Sequence, residues 1–173
     1  MTRRALDTMA PYLDAANVDL KAWREDYYRE ICQAHVKPVL DAIAYMKKLG
    51  IWVEVTTLLV PGENDSDEEL AGIAGFLAGV GPEIPWHISR FRPDYRFSDR
   101  PATPMATMEK AADIGKSRGL RYVYLGNVAA DADTPCPGCQ KPVVKRTPGR
   151  VRETHINDGR CGYCGAEIDG VWS

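Results

Sequence analysis

The ten residues IWVEVTTLLV, from Ile51 to Val60, constrain this chain more than any other stretch. They are β-branched or apolar apart from Glu54, and they stand directly behind KPVLDAIAYMKKLG, where Val39, Ile43 and Met46 share one helical face and Gly50 supplies the stop. A helix that runs straight into such a segment predicts a strand of a parallel sheet, buried on both faces. The same alternation recurs along the chain. AANVDLK (15–21), IPWHISRF (84–91) and LRYVYLGNV (120–128) read as further strands. RRALDTMA reads as the end of a helix stopped by Pro11, DEELAGIAGFLAGV as a helix opened by a Ser66/Glu69 capping box, and the stretch from Pro104 to Gly119 as another. The order β-α-β-α-β-α-β gives a parallel sheet through right-handed crossovers, with helices outside and function at the carboxyl ends of the strands.

A chain of 173 residues accommodates one buried domain and a small satellite, and the texture changes where a satellite would begin. After Val128 the sequence turns small and polar, AADADTP, and then loses helical periodicity. This predicts an α/β domain over 1–130 and a separate domain over 131–173. A formal net charge of -2 excludes a polybasic tether or a nucleic-acid coat protein. No apolar run reaches the ~18 residues of a membrane span, so the chain reads as cytoplasmic and without a membrane partner.

Four of the five cysteines fall in the second domain as two C-x-x-C pairs, Cys136/Cys139 and Cys161/Cys164, with 21 residues between the pairs. Each pair forms a tight knuckle whose backbone N–H groups point at the sulfurs, and two knuckles make a tetrahedral four-thiolate cage. Zinc is the expected metal, with a rubredoxin-like iron site and a redox dithiol as the alternatives. PVVKR and RVRETHI read as a hairpin turned at TPG, which together with the knuckles is a zinc ribbon. Metal binding explains how so few large apolar side chains fold, and His155 is not needed as a ligand. The ribbon carries a local net charge of +4 from Gln140 to Arg160, yet lacks interleaved aromatics. It reads as a solvated hairpin face, and nucleic acid is not the expected partner. Cys32 stands alone in EDYYREICQA and reads as a small buried hydrophobe.

Taken in order, DAANVDLKAW, the long segment KPVLDAIAYMKKLGIWVEVTTLLVPGENDSDEEL, PWHISRFRPDY, GLRYVYLGNV and the CPGC and CGYC pairs ending in DGVWS resemble the AmmeMemoRadiSam system radical SAM enzymes, relatives of pyruvate formate-lyase activating enzymes. The resemblance covers nearly the whole chain. It implies a partial (β/α) TIM-like barrel, of which this chain is the carboxyl-terminal half, followed by the zinc ribbon. It also implies a [4Fe-4S] cluster that cleaves S-adenosylmethionine (SAM) to a 5′-deoxyadenosyl radical, which abstracts hydrogen from a substrate. By the same resemblance Asp19 and Lys21 stand near the methionine and ribose of SAM, Thr56 to Leu58 offer backbone groups to the adenine, and Arg92 takes the place of a histidine that approaches SAM. Thr56 stands where relatives carry arginine.

The sequence also departs from that family. It contains no C-x-x-x-C-x-x-C and no G-G-E-type segment, both of which belong to the amino-terminal half of the barrel. The expectation is a truncated chain, inactive alone, whose partner is the missing barrel half and whose unpaired strand edge and apolar inner surface promote self-association. The substrate is not legible. Arg90 and Arg92 are candidates for an anionic substrate group, His87 reads as a satisfied core histidine, and Asp94 and Tyr95 lie in a strand-end loop without an assigned role. The competing reading is a small α/β module whose zinc ribbon contacts RNA or a protein partner.

Overall fold

A computed structural model of the protein describes residues 1–129, 132–147 and 150–172. It divides into two compact units, Met1–Asn127 and Val128–Ser173. The expected boundary at 130/131 falls on Ala130 and Asp131, which lie outside the described residues, as do Pro148 and Gly149 of the expected TPG turn and the terminal Ser173.

The first unit alternates as expected: α1 (Arg3–Met9), β1 (Ala15–Asp19), α2 (Glu25–Glu30), α3 (Val36–Lys48), β2 (Trp52–Leu59), α4 (Asp67–Val80), β3 (Trp86–Arg90), α5 (Met105–Ser117) and β4 (Val123–Gly126). Its four strands form one parallel sheet in the order β1-β2-β3-β4, so β1 is an edge of it. Pro11 does not end α1 abruptly but sits in a 3₁₀ turn, Ala10–Tyr12, that follows it. Gly50 and Gly119 close α3 and α5 with φ of +82° and +96°, a left-handed backbone that glycine adopts without steric penalty.

The core lies on one face of the sheet only. Val53, Val55, Thr57 and Leu59 of β2 are buried, together with Trp86 and Ile88 of β3, against Ile43 and Met46 of α3, Leu70, Ile73 and Leu77 of α4 and Met108 of α5. Full burial of side chains of this size stabilises by about 1.5–3 kcal/mol each. The alternate residues Trp52, Glu54, Thr56 and Leu58 are only half-buried, which corrects the expectation of a strand buried on both faces. Helices cover one side of β2 and leave the other open, so the period-2 placement of Glu54 and Thr56 marked the face without helices. The open face is also not the apolar surface anticipated for a missing half: Asn17, Asp19, Glu54, Thr56, His87, Ser89 and Tyr124 give it a polar lining, with Trp52 and Leu58 between them.

The second unit holds β5 (Thr134–Pro135), β6 (Pro142–Thr147), β7 (Arg150–Thr154), β8 (Ile156–Asn157) and β9 (Arg160–Cys161). The expected hairpin is present as antiparallel β6 and β7, with β5 on its other edge. Its buried core is small, Cys136, Val143, Cys161 and Ile168. Among the described residues no helix is long and apolar enough to cross a membrane.

Candidate functional site

At the carboxyl end of β1 the chain leaves the sheet through Leu20–Trp23, and this exit is held at the backbone groups of Leu20 and Lys21 and at Trp23 N–H. Leu20 donates its N–H to the Thr56 carbonyl (3.0 Å), and its own carbonyl accepts from the Thr57 hydroxyl (2.8 Å). Lys21 donates its N–H to the Tyr28 hydroxyl (2.9 Å) while its carbonyl accepts from Asn64 Nδ2 (2.6 Å). Asn64 is fully buried and also donates to the Leu58 carbonyl (2.9 Å) and accepts from Val60 N–H (2.7 Å), so one amide side chain fastens the ends of β1 and β2 together. Trp23 N–H donates to Glu69 Oε2 at 2.8 Å.

Glu69 therefore does not complete a capping box. Ser66 Oγ accepts from Glu69 N–H at 3.3 Å, but the Glu69 carboxylate, 2% exposed, turns away to Trp23 N–H and to Arg24 Nε at 2.9 Å. A buried carboxylate needs such charged and N–H partners, and here they lock the β1 exit to the first turn of α4. Gly72 completes the joint: a Cβ there would lie 2.5 Å from the Trp23 ring.

On this frame Asp19, Thr56 and Leu58 share the open face at the carboxyl ends of β1 and β2, with Asp19 and Thr56 in direct register. Lys21 reaches back to Asp19 at 2.8 Å, and both are partly exposed. Arg92 lies two residues beyond β3 and is exposed. The structure thus brings Asp19, Lys21, Thr56 and Leu58 to adjacent strand ends, and sets Arg92 on the loop following the next strand. Arg90 is tied to the fold, donating from Nε to the Thr103 carbonyl at 2.7 Å, and Asp94 Oδ1 accepts from Tyr95 N–H at 2.8 Å. Cys32 is half-buried against the core.

His87 differs from its reading as a core histidine. It lies on the open face with a third of its side chain exposed, pairs through Nε2 with Glu54 Oε2 at 2.8 Å, and stacks on Tyr124 with ring centroids 5.3 Å apart. Its place follows from parity: His87 is one residue out of phase with buried Trp86 and Ile88.

The second candidate centre is the cysteine group. The ligand atoms of Cys136, Cys139, Cys161 and Cys164 lie within 4.8 Å of one another, with Sγ···Sγ separations of 3.6 Å (Cys136–Cys164) and 3.8 Å (Cys139–Cys161). A tetrahedral ion with metal–sulfur bonds of about 2.3 Å sets its sulfurs about 3.8 Å apart, so these thiols fit such an ion. The two knuckles are built alike. Gln140 N–H donates to Cys136 O and Gly165 N–H to Cys161 O, while Cys136 N–H donates to Lys141 O and Cys161 N–H to Ala166 O. Gln140 and Gly165 occupy equivalent places with φ of +60° and +74°. Gly138 N–H approaches Cys136 Sγ at 3.3 Å and Tyr163 N–H approaches Cys161 Sγ at 3.4 Å. Burial opposes ionisation of Cys161, but backbone N–H groups of Tyr163 and Cys164 and the adjoining thiols bring it down to about 7. For Cys164 the N–H of Ala166 favours the thiolate, yet desolvation and the three neighbouring thiols push it up to about 12. Ionisation is thus favoured at Cys161 and opposed at Cys164. His155 stays outside the group, against the Tyr163 ring at 4.8 Å.

Comparison with known proteins accords with this arrangement. Residues 1–74 match the Radical SAM superfamily. An uncharacterized protein of Methanocaldococcus jannaschii is 41% identical over 162 residues, covering 91% of this chain and 48% of the relative. A provisionally named glycyl-radical enzyme activating enzyme of the same organism is 28% identical over 125 residues, covering 70% and 46%. The chain spans about half the length of these curated relatives. Among solved structures, a domain of pyruvate-formate lyase-activating enzyme from Bacteroides vulgatus superposes with a TM-score of 0.62 at 17% identity, covering 73% of this chain and 75% of that one. A radical SAM methyltransferase from Sphaerobacter thermophilus gives 0.58 at 21% identity, covering 70% and 37%. Residues 1–74 are thus similar in sequence to the Radical SAM superfamily, and the α/β unit shares its fold with these two solved structures.

Proposed function

We propose that this chain is the carboxyl-terminal portion of a radical SAM enzyme, in which the strand ends of the first unit help hold SAM and the four-cysteine unit is a structural zinc ribbon. The observation that carries the reading is the convergence of Asp19, Lys21, Thr56 and Leu58 at adjacent carboxyl ends on the polar, open face of a parallel sheet. Function on such sheets gathers at that end. The donor set suits SAM: a carboxylate for an ammonium or a ribose hydroxyl, an ammonium for a carboxylate, and hydroxyl and backbone groups for the adenine. When bound, SAM would supply the adenosyl group; these residues would bind and orient it on the open face.

The iron–sulfur cluster is a different matter. Cys32 is the first unit's only cysteine, and the other four thiols already face one another in the ribbon. The residues here do not fit a three-thiolate cluster site, and no step is assigned to one in this chain. The cluster belongs, on this reading, to the part of the enzyme that the curated relatives carry in their additional length.

Equilibrium dialysis with labelled SAM and elemental analysis test the proposal together. Saturable SAM binding that weakens at least ~10-fold in Asp19→Asn, one zinc per chain, and no iron–sulfur absorption after reconstitution with iron and sulfide are expected. Binding indifferent to Asp19→Asn would overturn the assignment of the strand ends, and a reconstituted [4Fe-4S] cluster would overturn the assignment of the ribbon.

A further inference from the structure

The open face carries one cross-sheet row that runs through all four strands: Asp19, Thr56, His87 and Tyr124 are register partners in turn. His87 thus stands beside Thr56 at the same height on the sheet as the proposed SAM residues, and about 10 Å from Asp19, two strand spacings away. Its environment is built rather than incidental. The Glu54 carboxylate is held on its other oxygen by Trp52 Nε1 at 3.1 Å, and the Tyr124 ring stacks on the imidazole at an interplanar angle of 25°. A carboxylate only accepts, so the ring nitrogen facing Glu54, Nε2, carries a proton, and in the neutral imidazole Nδ1 is then the acceptor. Among the described residues Nδ1 has no hydrogen-bond partner. A carboxylate that orients one ring nitrogen and leaves the other open is the arrangement by which histidines accept a ligand hydrogen.

We propose that His87, oriented by Glu54, is a ligand-contacting residue of the strand-end site, and that its Nδ1 accepts a hydrogen bond from a hydroxyl or amine of the molecule bound on the open face. The inference rests on the SAM-site reading and extends that site across the sheet from β1 and β2 to β3. Glu54 acts through His87 and is a positioning residue.

The test is a titration of the isotopically labelled chain with S-adenosylhomocysteine, reading backbone amides together with the imidazole nitrogens of the three histidines, His35, His87 and His155. The expected result is a bare Nδ1 in the free protein, whose resonance shifts with the Asp19 and Thr56 amides while His35 and His155 stay still. Affinity falls roughly 5-fold in His87→Asn, as for one lost hydrogen bond. Glu54→Gln keeps the ring but mixes its tautomers, and lowers affinity by a smaller factor. Shifts at Asp19 and Thr56 without one at His87 would overturn this proposal and leave the SAM site standing, as would an Nδ1 that carries the proton. No shift at any of the three overturns both.

Discussion

The two units of this chain hold their shape by opposite means. The first buries a continuous apolar layer between its five helices and one face of its sheet, including eleven side chains of which Ile43, Leu59 and Trp86 are typical, each essentially inaccessible. The second has Val143 and Ile168 and little else apolar beyond its two buried cysteines. A unit of this size without a large core depends on something besides apolar burial, and the four converging thiols are placed to supply it through the metal proposed for them. The contrast teaches that one chain can divide its stability between a distributed reservoir and a single point.

The largest expected effect tests that point. If the proposed zinc is bound, its chelation, or Cys161→Ser, should collapse the amide dispersion of the second unit while the first keeps its spectrum, because a structural zinc contributes on the order of 10 kcal/mol or more to such a fold. Persistent dispersion in metal-free protein would break the comparison. The distributed reservoir answers differently: Ile43→Ala should destabilise the first unit by about 2–5 kcal/mol in denaturant, with the metal content unchanged.

Next in size come the polar joints of the first unit. Glu69→Gln removes the charge that Arg24 and Trp23 N–H complement inside the core margin, and about 2 kcal/mol is expected from thermal unfolding. Asn64→Ala strands the Lys21 and Leu58 carbonyls and Val60 N–H, with a similar loss and a weaker hold on the β1 exit. The smallest effect belongs to Glu83. Burial works against its ionisation, but the Lys47 ammonium at 2.6 Å, the backbone and Arg121 bring its carboxyl below the ordinary value. A depressed folded-state value contributes stability above the unfolded value, lost as pH falls through the folded one. Glu83→Gln should therefore narrow the acid–neutral stability difference by no more than about 1 kcal/mol, read from unfolding curves at both pH values.

Legibility in the sequence followed the range of the interactions. The β/α alternation is a local periodicity, and all four strands and the helices around α3, α4 and α5 were readable from it. The cysteine cage was readable for the same reason, since each knuckle lies within five residues. What was misread depends on distant chain. Glu54 and Thr56 alternate with buried residues in a way that marks an open face, but in a run otherwise so apolar they passed as exceptions. Glu69 satisfies the S-x-x-E pattern whether it caps its own helix or reaches Trp23 and Arg24, and only the fold decides. Asn64 looks like a turn residue in PGEND. Gln140 gives no hint that it takes the left-handed place that Gly165 takes in the other knuckle.

The three hydrogen bonds of Asn64 also bear on how the protein ages. Slow hydrolysis of an asparagine side chain yields aspartate, and at this buried position the change would replace the two N–H donors facing Lys21 O and Leu58 O with an oxygen that repels both. Reaching that product requires the side chain to leave its socket first. The rate at which the mass shift of deamidation accumulates at Asn64 during storage is thus a clock for opening of the joint between β1 and β2, and it should run far slower than at an asparagine on an exposed turn.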